Sequence, residues 1–159
     1  MTEADLSRRV AKWLRHAAAM TNNPTLKWER HESSTVRSVP DVRLRWAGFA
    51  AWIELKVAKG RLIRFQSGQA RWLTEEWTIH PGESWILVGI PRHSKRSAGL
   101  SLYRGEQAFE LQAVGISLEP ELHFDDPIAL PQWGELLDRF TWGGCYCRLR
   151  CTEGTAHGI

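Results

Sequence analysis

Residues 41–57 constrain the fold of this chain more than any other stretch. Asp41–Trp46 alternates, with Val42, Leu44 and Trp46 on one side and Asp41, Arg43 and Arg45 on the other. Phe49–Val57 alternates as well, setting Ile53, Leu55 and Val57 against Trp52, Glu54 and Lys56. A period of two is the mark of a strand with one apolar face. Ala47-Gly48 alone separates the two runs, which therefore predict a β-hairpin. Glu54 and Lys56 are two apart and share a face. Close pairing of the strands lets Asp41 share it too, bringing two carboxylates and a lysine to one edge of a sheet.

The rest of the chain supplies elements around this hairpin. Residues 2–19 predict a helix, because Leu6, Val10, Trp13, Leu14, Ala17 and Ala18 recur at helical spacing behind a Thr2 N-cap. Glu3 lies seven residues before Val10, so it shares the apolar face and points inward. Thr25–Arg30 reads as a strand. Residues 67–77 read as a helix with Ser67 as N-cap and Ala70, Leu73 and Trp77 inward. Ser84–Ile90 is an apolar run with the length of a buried strand. The strand–helix–strand order over 49–57, 67–77 and 84–90 implies a parallel pair beside the antiparallel hairpin. Leu100–Tyr103 forms a further strand. Gln107–Gln112 fits either a strand or a short helix, and Pro120–Pro127 an acidic loop. Pro131–Phe140 fits a short helix that Gly143-Gly144 ends, and the tail from Cys145 opens as a strand. The expected fold class is α/β: a single domain over 1–159 with a mixed central β-sheet flanked by helices in the order αβββαβ. Its core spans about 1–104, and 105–159 is a C-terminal elaboration that offers a dimer contact.

Charge is unevenly placed. Residues 27–64 hold nine Lys and Arg against four Asp and Glu, whereas 105–138 hold eight acids and no Lys or Arg. A basic half that contains the converging residues suits a polyanionic substrate. No apolar run approaches the ~18 residues of a membrane span. The opening MTEADLSRRV lacks the apolar core of a signal peptide. The three cysteines all fall within 145–151 and form no even disulfide framework. A cytoplasmic protein without a membrane partner is expected. The spacing of Cys145, Cys147, Cys151 and His157 is not that of a common zinc finger. No Ser–His–Asp order, Walker loop, dinucleotide fingerprint or histidine pair at metal-ligand spacing appears.

The converging residues fit metal chemistry. Hard oxygen donors from Asp41, Glu54 and the Leu55 carbonyl suit Mg²⁺ or Mn²⁺. Such an ion polarises a phosphodiester oxygen and lowers the pKa of a bound water. Lys56 can orient that water or stabilise developing negative charge. The plainer reading is an exposed hairpin with ordinary cross-strand charge pairs, and alternation alone does not separate the two. Arg43 and Arg45 share the face of Asp41 and are placed to meet phosphates. Arg92–Arg96 is a second basic segment, and Trp52 could stack on a base.

Pro40-Asp41 and Glu54-Leu55-Lys56, joined by a short hairpin, resemble the PD-(D/E)XK nuclease superfamily. The branch most similar is the VRR-NUC type, close to Holliday-junction resolvases. There a basic glycine turn follows the acid–x–Lys strand, and a glutamine sits on the next helix. Lys59-Gly60-Arg61 matches the turn. Gln69 matches the glutamine, with Gln66 as the alternative three residues earlier. The family's acid on the first helix falls on Glu3. Ser38 departs from the glycine usual before Pro-Asp. The resemblance covers residues 1 to about 90. It implies a restriction-endonuclease-like core and a Mg²⁺-dependent endonuclease, with Mn²⁺ able to substitute, that hydrolyses DNA phosphodiester bonds in a structure-specific way. The catalytic residues it implies are Asp41, Glu54, Lys56, Gln69 and Glu3, with the metal on Asp41, Glu54 and Leu55. Duplex or branched DNA would lie against Arg43, Arg45, Lys59, Arg61 and Arg64, and the protein would be a homodimer. The alternative is a non-catalytic nucleic-acid-binding or assembly module on the same fold, against which the intact Asp41, Glu54 and Lys56 argue.

Overall fold

The computed structural model describes residues 1–31, 38–93 and 97–153, of which 142–153 by backbone alone. It opens on helix α1 (Glu3–Ala19). Thr2 caps this helix and exchanges hydrogen bonds with Asp5, whose carboxylate takes the Thr2 N–H at 2.9 Å. Strand β1 (Leu26–Arg30) follows, then β2 (Val42–Trp46) and β3 (Phe49–Val57). Trp46 lies opposite Phe49 across the turn. Ala47 and Gly48 both take positive φ, 50° and 82°. That two-residue turn carries a twist matching its strands, and Gly48 meets it without steric cost.

Helix α2 (Gln69–Ile79) carries the chain over the sheet to β4 (Ser84–Ile90), which lies parallel to β3. All seven residues of β4 are buried, as its unbroken apolar run requires. Strand β5 (Gly99–Arg104) returns antiparallel. After it come a 3₁₀ turn, helix α3 (Ala108–Val114), strand β6 (Leu122–Asp125) and helix α4 (Leu130–Glu153). The molecule is thus α/β, a six-stranded mixed sheet ordered β1-β2-β3-β4-β5-β6 with four helices on its faces.

The two faces are chemically distinct. Ile53, Leu55, Trp85 and Leu87 pack beneath α1 and α4, through Leu6, Val10, Leu14, Trp133, Leu136 and Phe140. Ile86, Val88 and Tyr103 pack beneath α2 and α3, through Ala70, Leu73 and Leu111. The second face also carries the even-numbered residues of β3.

Four expectations need correction. The N-cap of α2 is Gly68, not Ser67. Pro120–Pro127 is not all loop, because Leu122–Asp125 pairs with β5; Phe124 is the one buried residue of that edge strand. Gly143-Gly144 does not end the last helix, which continues to Glu153. A glycine costs a helix about 1 kcal/mol and does not forbid it. Cys145–Cys151 therefore lies on a helix rather than a strand. The side chains of those cysteines, and His157, lie outside the described residues, and the zinc alternative lies there with them. No described helix is long and apolar enough to cross a membrane.

Candidate active site

The site forms where β3 outruns β2. Pairing between them stops at Val42 opposite Ile53, so residues 54–57 keep a ladder with β4 alone. The Trp52 N–H donates to the Glu83 carbonyl at 2.7 Å, and the Ala58 N–H to the Gly89 carbonyl at 3.0 Å. Even-numbered residues thus turn their backbone towards β4. Leu55 turns its N–H and carbonyl the other way, since both groups of a strand residue face the same neighbour. Asp41, one residue before β2, takes the Leu55 N–H on Oδ2 at 3.0 Å. The Leu55 carbonyl is directed to the same edge.

Glu54 and Lys56 project towards α2 and are both buried. Lys56 Nζ sits 2.7 Å from Glu54 Oε1. The pair attracts by charge but lacks good hydrogen-bond angles, and neither Glu54 oxygen has a hydrogen-bond partner among the described residues. Burial pushes the Glu54 carboxyl up to about 7; Lys56 opposes that shift, and the charges of Asp41 and Glu3 add to it.

Lys56 Nζ donates to Gln69 Oε1 at 3.2 Å and lies 3.8 Å from Glu3 Oε1. Gln69 is buried at the first position of α2, and its Oε1 also accepts the Gln66 N–H at 2.8 Å. Of the two glutamines, Gln69 is therefore the one whose side chain reaches the lysine. Gln66 is exposed and contributes only its backbone. Glu3 arrives from α1, in the opposite helix layer, and keeps about half its side chain exposed. Phe65 joins the site unannounced by any motif, its ring centroid 5.5 Å from Lys56 Nζ.

Asp41, Glu54 and Glu3 supply hard oxygen donors here, though they are not a set whose ligand atoms all gather within 4.8 Å of one another. Asp41, Glu54 and Glu3 carry three negative charges when ionised, Lys56 one positive, leaving two to be balanced. The donors are hard oxygens, as Mg²⁺ and Mn²⁺ require. Glu54 Oε1 has the Lys56 ammonium beside it, whereas Oε2 is buried without a hydrogen-bond partner among the described residues, which is costly for a carboxylate.

Among the described residues, one group of acids and a histidine could hold a metal ion. Ligand atoms of Glu76, His80 and Glu83 all lie within 4.8 Å of one another, with His80 Nδ1 3.3 Å from Glu76 Oε1. It sits where β4 begins, beside Trp52 rather than Lys56, about 13 Å away along the strand. It is one histidine between two acids rather than a pair of histidines. The signal was Glu76 and His80 one helical turn apart, with Glu83 just past Pro81-Gly82.

The remaining expected residues divide. Lys59, Arg61 and Arg64 are exposed on the turn that follows Lys56. Arg43 is half-buried, its guanidinium 4.6 Å from the centre of the Trp52 ring. Arg45 pairs with Glu29 at 2.5 Å. Trp52 packs among His31, Arg43 and Trp72 and is not presented to a base. A Ser101–His123–Asp125 chain does exist, with Ser101 Oγ 2.8 Å from His123 Nδ1. Ser101 is only 2% exposed, too enclosed to meet a substrate. In the segment 92–96, Ser94–Arg96 lies outside the described residues. The chain matches no protein-family model, and neither a curated protein nor a solved structure matches it.

Proposed function

We propose that the protein is a divalent-metal-dependent endodeoxyribonuclease of the PD-(D/E)XK kind. The observation that carries this reading is the buried Glu54, paired with the Lys56 ammonium through Oε1, left without a hydrogen-bond partner among the described residues at Oε2, and raised in pKa by burial and by the charge of Asp41. Asp41, Glu54 and the Leu55 carbonyl would hold Mg²⁺ or Mn²⁺, which when bound polarises a phosphoryl oxygen and acidifies a water. Glu54 must be ionised to hold the ion, so metal and proton compete for it near pH 7. Lys56, steadied by Gln69, keeps one positive charge where negative charge develops at the phosphate. Glu3 is an auxiliary acid beside that ammonium. Lys59, Arg61 and Arg64 bring the DNA backbone to the same rim of the sheet. The same reading includes a homodimer, for which Leu62, Phe109 and Val114 offer exposed apolar side chains.

The test is nicking of supercoiled plasmid with Mg²⁺, Mn²⁺ or EDTA. Cleavage is expected with either metal and not with EDTA. Lys56→Ala should lose cleavage while retaining salt-dependent DNA binding. Undiminished cleavage by that variant would overturn the assignment. Binding without cleavage in every metal, by the unaltered protein, would favour a non-catalytic nucleic-acid-binding module.

A further inference from the structure

A cavity of about 510 Å³ opens between α1, the start of α4 and the connection from β4 to β5. Its volume lies within the range of small-ligand sites. Arg9, Trp13, Arg92, Asp126, Ile128 and Trp133 line it. The Trp13 and Trp133 rings are nearly parallel, 11° apart with centroids separated by 6.2 Å. Trp133 is buried, whereas Trp13 is partly exposed at the cavity, with the Lys12 ammonium 5.6 Å over its ring, a contact that a stacked base would displace. The Trp133 indole N–H is buried without a hydrogen-bond partner among the described residues, and a buried donor of this kind calls for an acceptor. Arg9 is neutralised by an ion pair with Asp126 and lies 5.8 Å over the Trp133 ring. Arg92 is exposed and has no ion pair among the described residues. The lining thus offers aromatic surface and a net positive charge, which is the chemistry of a site for a planar ring joined to an anion.

We propose that this cavity binds an unpaired nucleotide of the DNA strand near the cut, its base on Trp13 and its phosphate on Arg92. The inference rests on the nuclease reading. What selects a strand segment over a free nucleotide is position. β3 and β4 run parallel, so Lys56 and Arg92 stand at the same rim of the sheet. Helix α1 spans the two places: Glu3 is 3.8 Å from Lys56, while Arg9 and Trp13 line the cavity. Six and ten residues of helix correspond to about 9 and 15 Å. That distance matches roughly three to four nucleotides of stacked strand at about 3.4 Å each. A fully paired duplex keeps its bases in the stack and cannot offer one to Trp13 without being opened. An unpaired extension can, so the cavity would make the enzyme prefer duplexes that carry one.

The test compares a short blunt duplex with the same duplex bearing an unpaired extension of about four nucleotides, by fluorescence anisotropy in EDTA. The unaltered protein should bind the extended DNA about tenfold more tightly, the effect of stacking one base. Trp13→Ala and the exposed Arg92→Ala should each remove that preference and leave blunt-duplex affinity unchanged. Equal preference in all three proteins, or an equal loss on both DNAs in Arg92→Ala, overturns the proposal. Free dTMP is the third probe. If it binds in an Arg92-dependent way while the extension confers no advantage, the cavity serves a free nucleotide and the strand proposal falls. Blunt-duplex binding and nicking without any preference overturn the cavity assignment alone. Absence of binding to both DNAs overturns the nuclease reading as well.

Discussion

Replacing Glu54 with glutamine removes a titration that the fold makes costly. The folded carboxyl titrates at about 7 against an ordinary value of 4.5, chiefly because it is buried. Between those values the folded chain holds a proton that the unfolded chain has released. The free energy of unfolding must therefore fall as pH rises through this window. At about 1.4 kcal/mol per pH unit the loss comes to roughly 3 kcal/mol, starting above pH 4.5 and complete by about pH 7. Urea unfolding in EDTA, followed by tryptophan fluorescence from pH 4.5 to 8, reads it directly. The Glu54→Gln protein should lack that decline. Asp5, Glu29 and Asp125 shift the other way, held low by Thr2, Arg45 and Ser97. Their stabilisation is lost only as pH falls below the ordinary carboxylate range, so it does not overlap the window. Parallel curves for the two proteins would refute the assignment of a buried, metal-competent carboxylate. Mg²⁺ adds a second arm. At ten times its dissociation constant an ion stabilises by about 1.4 kcal/mol. The gain should be larger at pH 8 than at pH 5.5, because the proton must leave first, and it should vanish in Glu54→Gln.

Four further substitutions probe the same neighbourhood, two of them combined in one protein. Asp41→Asn keeps an acceptor for the Leu55 N–H but removes a charge that pushes Glu54 up. The midpoint of the stability decline should move to lower pH and stabilisation by Mg²⁺ should be lost; an unmoved midpoint contradicts the coupling. Gly115 has φ +62°, and a Cβ there would stand 1.8 Å from the Arg61 carbonyl oxygen. Gly115→Ala should cost on the order of 1–3 kcal/mol and loosen the basic turn, read as a lower melting temperature with weaker DNA binding. An unchanged melt would rule out that close approach. Glu54→Leu with Lys56→Met replaces the buried ion pair by apolar side chains. The double variant should be inactive yet about 1–4 kcal/mol more stable than the unaltered protein in urea, whereas Lys56→Met alone should be less stable. A double variant weaker than both single variants would show that the ion pair stabilises the fold.

What could be read in the sequence was what is local. Alternation over 41–57 specified the hairpin and the shared face, and the unbroken apolar run of 84–90 specified the buried central strand. The choice between Gln66 and Gln69 was not local. It depends on where α2 begins, and Gly68 sets that start with no side-chain capping bond. β6 was hidden because a four-residue edge strand with one buried side chain resembles an acidic loop. The Glu76–His80–Glu83 group needed the Pro81-Gly82 turn to fold Glu83 back towards the helix end. Trp13 was placed in the core by its helical spacing. Its half-exposure follows from where α4 and the chain after β4 leave room beside α1, which no single stretch encodes.

The register of β3 against β4 sharpens the case for the site. Glu54 lies beside Ile86 and Lys56 beside Val88 on one buried face, with Leu73 and Ala70 packed in the same cluster as those apolar neighbours. Packing alone would favour apolar residues at both positions, because desolvating two charges costs more than their attraction generally returns. The break is confined to the strand end where β2 has stopped and Asp41 is within reach of β3. Gln69 meets it from the helix above, and Glu3 from the layer below. A local rule broken at one place, by residues from four separate segments that converge there, is what a functional site looks like in a fold that otherwise obeys the rule. Ordinary cross-strand charge pairs on an exposed hairpin, the plainer reading of the same residues, require Glu54 and Lys56 to be solvated, and they are 0% and 5% exposed.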